Sequence, residues 1–174
     1  MKRLSPLALL IVVLVAASAF AGCSSGTEAK KPLLESEKKL AGMYEACKKI
    51  TLIDGSTKQT ILTADLPALG AIDLQAVLKR SNGMTHADMW RGVPLNAIFA
   101  KYGVAVPFTQ VKIHAWDEYK TPITYDIAAR PDTILAFQMD GKPIPKEDGP
   151  VRLVVASQDG FYWIRMITKI EVLR

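Results

Sequence analysis

Trp90-Arg91-Gly92-Val93-Pro94-Leu95 is the stretch on which the fold turns. Gly92 and Pro94 set up a turn and a first helical turn, because proline is pre-organised for the helical start. Beyond it, Leu95, Ile98, Phe99 and Tyr102 fall on one apolar face, and Gly103 supplies a stop. Upstream, Ile72, Leu74, Ala76 and Leu78 alternate with Asp73, Gln75 and Lys79, the pattern of a half-buried strand. Ser81 to Asp88, with Gly83 and His86, reads as a polar loop.

Farther out, the same rhythm of short strands continues. Ile50-Thr51-Leu52-Ile53, Asp54-Gly55 and Gln59-Thr60-Ile61-Leu62 spell a β-hairpin. Thr63 to Pro67 reads as a capped short turn. Val111, Ile113 and Ala115 alternate as a strand, and Trp116 to Pro122 reads as a loop. Asp126 is placed to cap a short helix ending before Pro131. Ile134 to Met139 is a strand closed by an Asp140-Gly141 turn, and a proline-punctuated loop runs on to Pro150. Val151 to Ala156 is apolar enough for a central strand. Gln158-Asp159-Gly160 turns, and Ile164 to Leu173 closes the chain in extended form. Strands arranged in hairpins, with two longer helices and no βαβ alternation, define an α+β domain with mixed or antiparallel sheets.

The N-terminal end predicts export. Lys2 and Arg3 precede an uncharged run from Leu4 to Ala21, and Phe20-Ala21-Gly22-Cys23 closes it. A basic start, an apolar run and small residues at the cut mark residues 1–22 as a signal peptide. Cysteine directly after Ala-Gly fits a lipobox, so Cys23 is the expected lipidation site and membrane anchor. The alternative is an uncleaved transmembrane anchor, since about 18 apolar residues can cross a bilayer. Either way the remainder lies outside the cytoplasm. Residues 23–31 read as a flexible tether. Residues 32–49 read as a lead-in helix, opened by Pro32, with Leu33, Leu40, Met43, Tyr44 and Cys47 on one face. Residues 50–174 form the domain.

Composition removes some functions. The formal net charge of +5 falls by two when Lys2 and Arg3 leave, and no basic cluster remains. Nucleic acid is therefore not an expected partner. With Cys23 lipidated, Cys47 has no partner in the chain, and no internal disulfide forms. Cys47 reads as a buried small hydrophobe, with a partly exposed thiol or a redox or metal group as the alternatives. His86, Asp88 and His114 offer metal-ligating types, but 28 residues between the histidines do not require them to meet. Trp116, Tyr119 and Tyr125 are candidates to line a pocket mouth. There is no P-loop and no GxGxxG.

Several stretches, in order, resemble the molybdopterin-binding domain of sulfite-oxidase-like oxidoreductases. They are Trp90 to Leu95, Asp117-Glu118-Tyr119, Ile134-Leu135-Ala136 through Asp140-Gly141-Lys142-Pro143-Ile144, Gly149-Pro150-Val151-Arg152-Leu153-Val154-Val155, and Arg165 to Val172. The resemblance runs from about Ile50 to Arg174 and implies that family's fold. It also implies a pterin cofactor whose phosphate is held by basic groups, with Arg152 and Arg165 at the matching positions and Asn82 at the place of a family asparagine. Plainer roles compete: Arg152 pairing with a carboxylate such as Asp148, and Arg165 as a solvated strand residue.

The resemblance also implies one cysteine thiolate on the metal, from a loop upstream of the tryptophan motif. The matching segment here, Leu78 to Gly83, contains no cysteine. Ser81 is a poor replacement as a neutral hydroxyl, and Met166 stands where the family has tryptophan. No catalytic residue or metal ligand is assigned. The expectation is therefore a tethered domain that binds a small molecule or an envelope protein without catalysis. The alternatives are an enzyme holding molybdopterin without a protein thiolate, and an accessory subunit.

Overall fold

The computed structural model describes residues 34–79, 82–156 and 158–174. The expected signal peptide, tether and Cys23, the first residues of the lead-in helix, and Ser81 lie outside them. Among the described residues no helix is long and apolar enough to cross a membrane.

Among the described residues, ten strands build two sheets. The first has the order β2-β1-β10-β5-β6. In it β1 (Lys49–Asp54) and β2 (Thr57–Leu62) form the expected hairpin, with Asp54 opposite Thr57. β10 (Ile167–Leu173) pairs in parallel with β1, Leu52 opposite Ile170. β5 (Gln110–Ala115) and β6 (Lys120–Thr124) complete the sheet antiparallel. The two ends of the domain thus meet side by side, and the sheet is mixed.

The second sheet runs β3 (Ile72–Lys79), β4 (Thr85–Pro94), β7 (Thr133–Met139) and β8 (Lys142–Pro143), with β9 (Arg152–Val155) also on β7. Buried side chains of both sheets, among them Ile50, Val111, Trp90, Leu135 and Leu153, join one hydrophobic cluster.

Helices are few. α1 (Glu35–Ala46) buries none of its residues fully, while Leu40, Met43 and Tyr44 are half-buried on its inner face. α2 (Leu95–Lys101) buries Leu95, Ile98 and Phe99, as the spacing predicts. It ends in a Schellman motif, in which Val104 N–H donates to the Phe99 carbonyl at 2.9 Å and Gly103 N–H to that of Ala100 at 3.3 Å. α3 is the single turn Tyr125–Ala128.

Four sequence readings are corrected. The loop expected over Ser81 to Asp88 is shorter, because β4 starts at Thr85 and pairs through His86 and Asp88 with β3. The loop expected to Pro122 ends at Tyr119; proline is tolerated because β6 is an edge strand and Pro122 is exposed. Asp126 sits inside α3, whose N-cap is Thr124 without a side-chain capping bond. β9 is less central than expected: β7 is its one full strand partner, and its other side is met only by the Arg152–Arg165 bridge and the bond from Leu153 N–H to the Ile164 carbonyl at 2.7 Å, while the core covers Leu153, Val154 and Val155.

Candidate functional site

A cavity of about 990 Å³ opens where the ends of several elements converge. Leu78 and Lys79 reach it from the end of β3, with Asn82 just beyond. Ala115, Trp116, Asp117 and Tyr119 reach it from the β5–β6 turn. Glu147 and Asp148 come from a 3-10 turn (Lys146–Asp148), and Arg152 from the start of β9. Asp159 to Phe161 and Trp163 to Met166 form the remaining wall, and Met43 of α1 touches its edge. Volume and placement are those of a ligand site.

The fold brings Asn82, Arg152 and Arg165 to this one cavity, though they are far apart in sequence. Arg152 and Arg165 form an isolated antiparallel bridge, and Asp148 ties them together. Arg152 Nη1 donates to Asp148 Oδ2 at 3.0 Å, and Arg165 Nη1 to Oδ1 at 3.3 Å. Arg152 is largely buried and its guanidinium lies 5.8 Å and 6.0 Å from the ring centroids of Trp90 and Trp163. Arg165 is mostly solvated. The plain role weighed for Arg152, pairing with Asp148, is therefore present in the structure. Asn82 accepts a hydrogen bond from Met84 N–H at 3.1 Å through Oδ1.

Met166 forms part of the wall with a backbone φ of +53°, unusual for a residue with a side chain. Two bonds hold it there: its N–H donates to the Asp148 carbonyl at 3.1 Å, and its carbonyl accepts from Trp116 N–H at 2.8 Å. Behind it lies Cys47, fully buried, with Sγ 3.9 Å from Met166 Sδ. Cys47 is not among the residues that line the cavity. Burial pushes its thiol up from 9.0 to about 11, so it is protonated at neutral pH.

Two results follow for Cys47. A water-soluble disulfide reagent at pH 8 modifies it only after denaturant is added; rapid labelling of the folded protein would contradict the burial. The raised value also favours the folded state only while the unfolded thiol stays protonated. Stability from this group is complete below pH 9 and is lost between 9 and about 11, as the unfolded chain ionises first. Two pKa units correspond to roughly 2–3 kcal/mol, read as the extra alkaline loss in urea midpoint relative to Cys47→Ala.

The histidines do not meet. His86 Nδ1 lies 2.7 Å from Asp88 Oδ1 in the second sheet. His114 Nε2 lies 3.0 Å from Glu171 Oε2 in the first. Burial lowers the His114 pKa against the opposing pull of Glu171, and the bond from His114 lowers that of Glu171. No group of three His, Cys, Asp or Glu side chains suited to a metal occurs among the described residues. Of the aromatic candidates, Trp116 and Tyr119 line the cavity. Tyr125 does not: it packs on Phe108 at 4.9 Å in a separate, smaller hollow. Phe161 and Trp163 went unnoticed in the sequence, where only the Asp159-Gly160 turn beside them gave a signal.

One mixed and one antiparallel sheet, with a cavity at their loop ends, make an α+β domain of the sulfite-oxidase-like fold. Residues 56–174 match the oxidoreductase molybdopterin binding domain, and the chain belongs to that family. The protein-methionine-sulfoxide reductase catalytic subunits MsrP of Xanthomonas campestris pv. campestris and Xanthomonas axonopodis pv. citri are each 28% identical over 111 residues. That alignment covers 54% of this chain and 34% of each relative, so the chain spans about a third of their length. The sulfane dehydrogenase SoxCD of Paracoccus pantotrophus shares the fold with a TM-score of 0.66 at 19% identity, over 72% of this chain and 38% of that one.

The described wall is a poor fit for the family's anionic metal–pterin group. It presents no sulfur anion, since Cys47 is protonated and behind Met166. Its two arginines are shared by one aspartate. Its carboxylates, Asp117, Glu147, Asp148 and Asp159, outnumber its cations, Lys79, Arg152 and Arg165.

Proposed function

We propose that this chain is an extracytoplasmic lipoprotein, anchored through lipid on Cys23, whose domain binds a small ligand on the family's scaffold without the family's metal chemistry. One observation carries the reading: the only cysteine among the described residues is sealed behind Met166 as a neutral thiol. The family resemblance implies a protein thiolate on the metal, and the wall that Arg152, Arg165 and Asn82 share supplies none. Asp148 bonds to both arginines and halves their combined positive charge, which weakens their hold on a phosphate. What remains is a large, wettable cavity with aromatic walls, suited to recognition. An envelope protein inserting a side chain there is the second form this role takes.

The export signature read at residues 1–23 motivates the anchor. One preparation tests both parts. Protein purified natively from the membrane fraction is expected to contain no stoichiometric molybdenum, tungsten or pterin. Cys23→Ser is expected to leave the membrane or keep its leader. Stoichiometric metal overturns the non-catalytic role and restores the pterin enzyme without a protein thiolate. Unchanged processing and membrane retention overturn the anchor.

A further inference from the structure

The cavity mouth exposes rings where water favours polar groups. Trp116, Tyr119 and Phe161 are 42%, 42% and 61% exposed, and all three line the cavity. Large exposed aromatics gathered at a concave site mark a place that something covers.

Two turns supply them, and each turn sets an aspartate beside its rings. The first carries Trp116, Asp117 and Tyr119; the second carries Asp159 and Phe161. The turns meet, with the Tyr119 and Phe161 rings 6.1 Å apart at 85° and the Tyr119 hydroxyl donating to the Phe161 carbonyl at 3.4 Å. Two rings at right angles form a corner, and a ring face attracts positive charge through its quadrupole.

The carboxylates strengthen that attraction. Asp117 Oδ1 accepts from Tyr119 N–H at 3.2 Å, which fixes its place but leaves its charge uncompensated. Neither Asp117 nor Asp159 forms an ion pair among the described residues, whereas Arg152 and Arg165 are engaged by Asp148. Over the described lining four carboxylates stand against Lys79, Arg152 and Arg165, so the ring faces sit in a cavity with one net negative charge, its unpaired carboxylates beside the rings. A free anion is repelled there, and a neutral apolar ligand leaves the carboxylates unanswered. An organic cation with an apolar body satisfies both.

We infer that the cavity mouth, built by Trp116, Tyr119 and Phe161 with Asp117 and Asp159, is a cage for an organic ammonium cation of the quaternary or methylated type. This rests on the reading of the domain as a ligand-binding module, and it names the class of ligand.

Calorimetric titration of the mature chain with choline, and with its neutral carbon isostere 3,3-dimethylbutanol, isolates the charge. Choline is expected to saturate, and the isostere to bind roughly two- to thirtyfold more weakly, the range of a cation–ring contact. Phe161→Ala and Asp159→Asn each weaken choline several-fold; both positions are at the surface, so circular dichroism stays unchanged. Equal affinity for the isostere, no saturation by choline, or tighter binding of inorganic pyrophosphate overturns the cage. Metal content of the same sample reports separately. Metal-free protein that ignores choline sinks the cage alone, whereas bound molybdenum sinks the binding-module reading itself.

Discussion

Gly92→Val yields a chain that barely folds. A Cβ at position 92 would lie 2.5 Å from both Ala136 Cα and the Leu135 carbonyl oxygen, and 2.8 Å from Ala136 N. All three are backbone atoms of β7, the strand that β4 pairs with, and a bulge between Arg91 and Gly92 sets the register there. Flexible side chains can swing away from a clash, but a paired backbone moves only by parting the sheet. Overpacking in a tight core costs about 1–3 kcal/mol when side chains yield. Here the strands themselves must yield, so a cost of about 3 kcal/mol or more is expected, a large share of a typical domain's stability. The urea midpoint should drop by about 1–2 M. Gly42→Ala is the control, because nothing lies within 4 Å of its added Cβ on exposed α1. It should leave the midpoint unchanged or raise it slightly. Equal midpoints for the two variants would refute the close approach at Gly92.

Trp90→Ala is the second large loss, at about 3–5 kcal/mol for a buried tryptophan. Trp90 is 1% exposed and meets Trp163 edge to face, with centroids 5.8 Å apart. Arg152 lies against both rings, so the cavity floor loosens together with the core. The two tryptophans differ in one respect. Trp163 Nε1 donates to the Val155 carbonyl at 3.0 Å, while Trp90 Nε1 has no hydrogen-bond partner among the described residues. Trp90→Phe should therefore be tolerated better than Trp163→Phe, by about 1 kcal/mol, the worth of one net hydrogen bond. Chemical denaturation of the three variants checks this; a costlier Trp90→Phe would show that its indole N–H is satisfied after all.

Much of the strand order could be read locally. Apolar alternation in Ile72 to Leu78 and the Asp54-Gly55 turn depend on neighbours a few residues away, and both elements form where those signals lie. The errors fall where local signals mislead. The polarity of His86 and Asp88 suggested a loop, yet they are the β4 residues opposite Leu78 and Ala76. Val151 to Ala156 looked central because it is apolar on both faces, but only one of its sides meets a full strand, the other meeting the short segment at Ile164 and Arg165.

The candidate site was legible in part. The motif resemblance pointed to Asn82, Arg152 and Arg165, and they share a cavity. Phe161 and Asp159 carried no motif. Their place at the mouth depends on the Gly160–Tyr162 turn meeting the β5–β6 turn, a contact between segments about 40 residues apart.

By itself, the order of apolar and turn residues determined that this chain makes short strands in hairpins, a single buried cluster and no free-standing helical bundle, because those choices are settled by side-chain period and backbone preference over a few residues. Tertiary structure alone decided that one aspartate is shared by two arginines, that Cys47 is shut behind Met166, and that two distant turns gather rings and carboxylates at one mouth. Charge, solvation and access at a site depend on which groups lie within a few ångströms, and no local pattern encodes that distance.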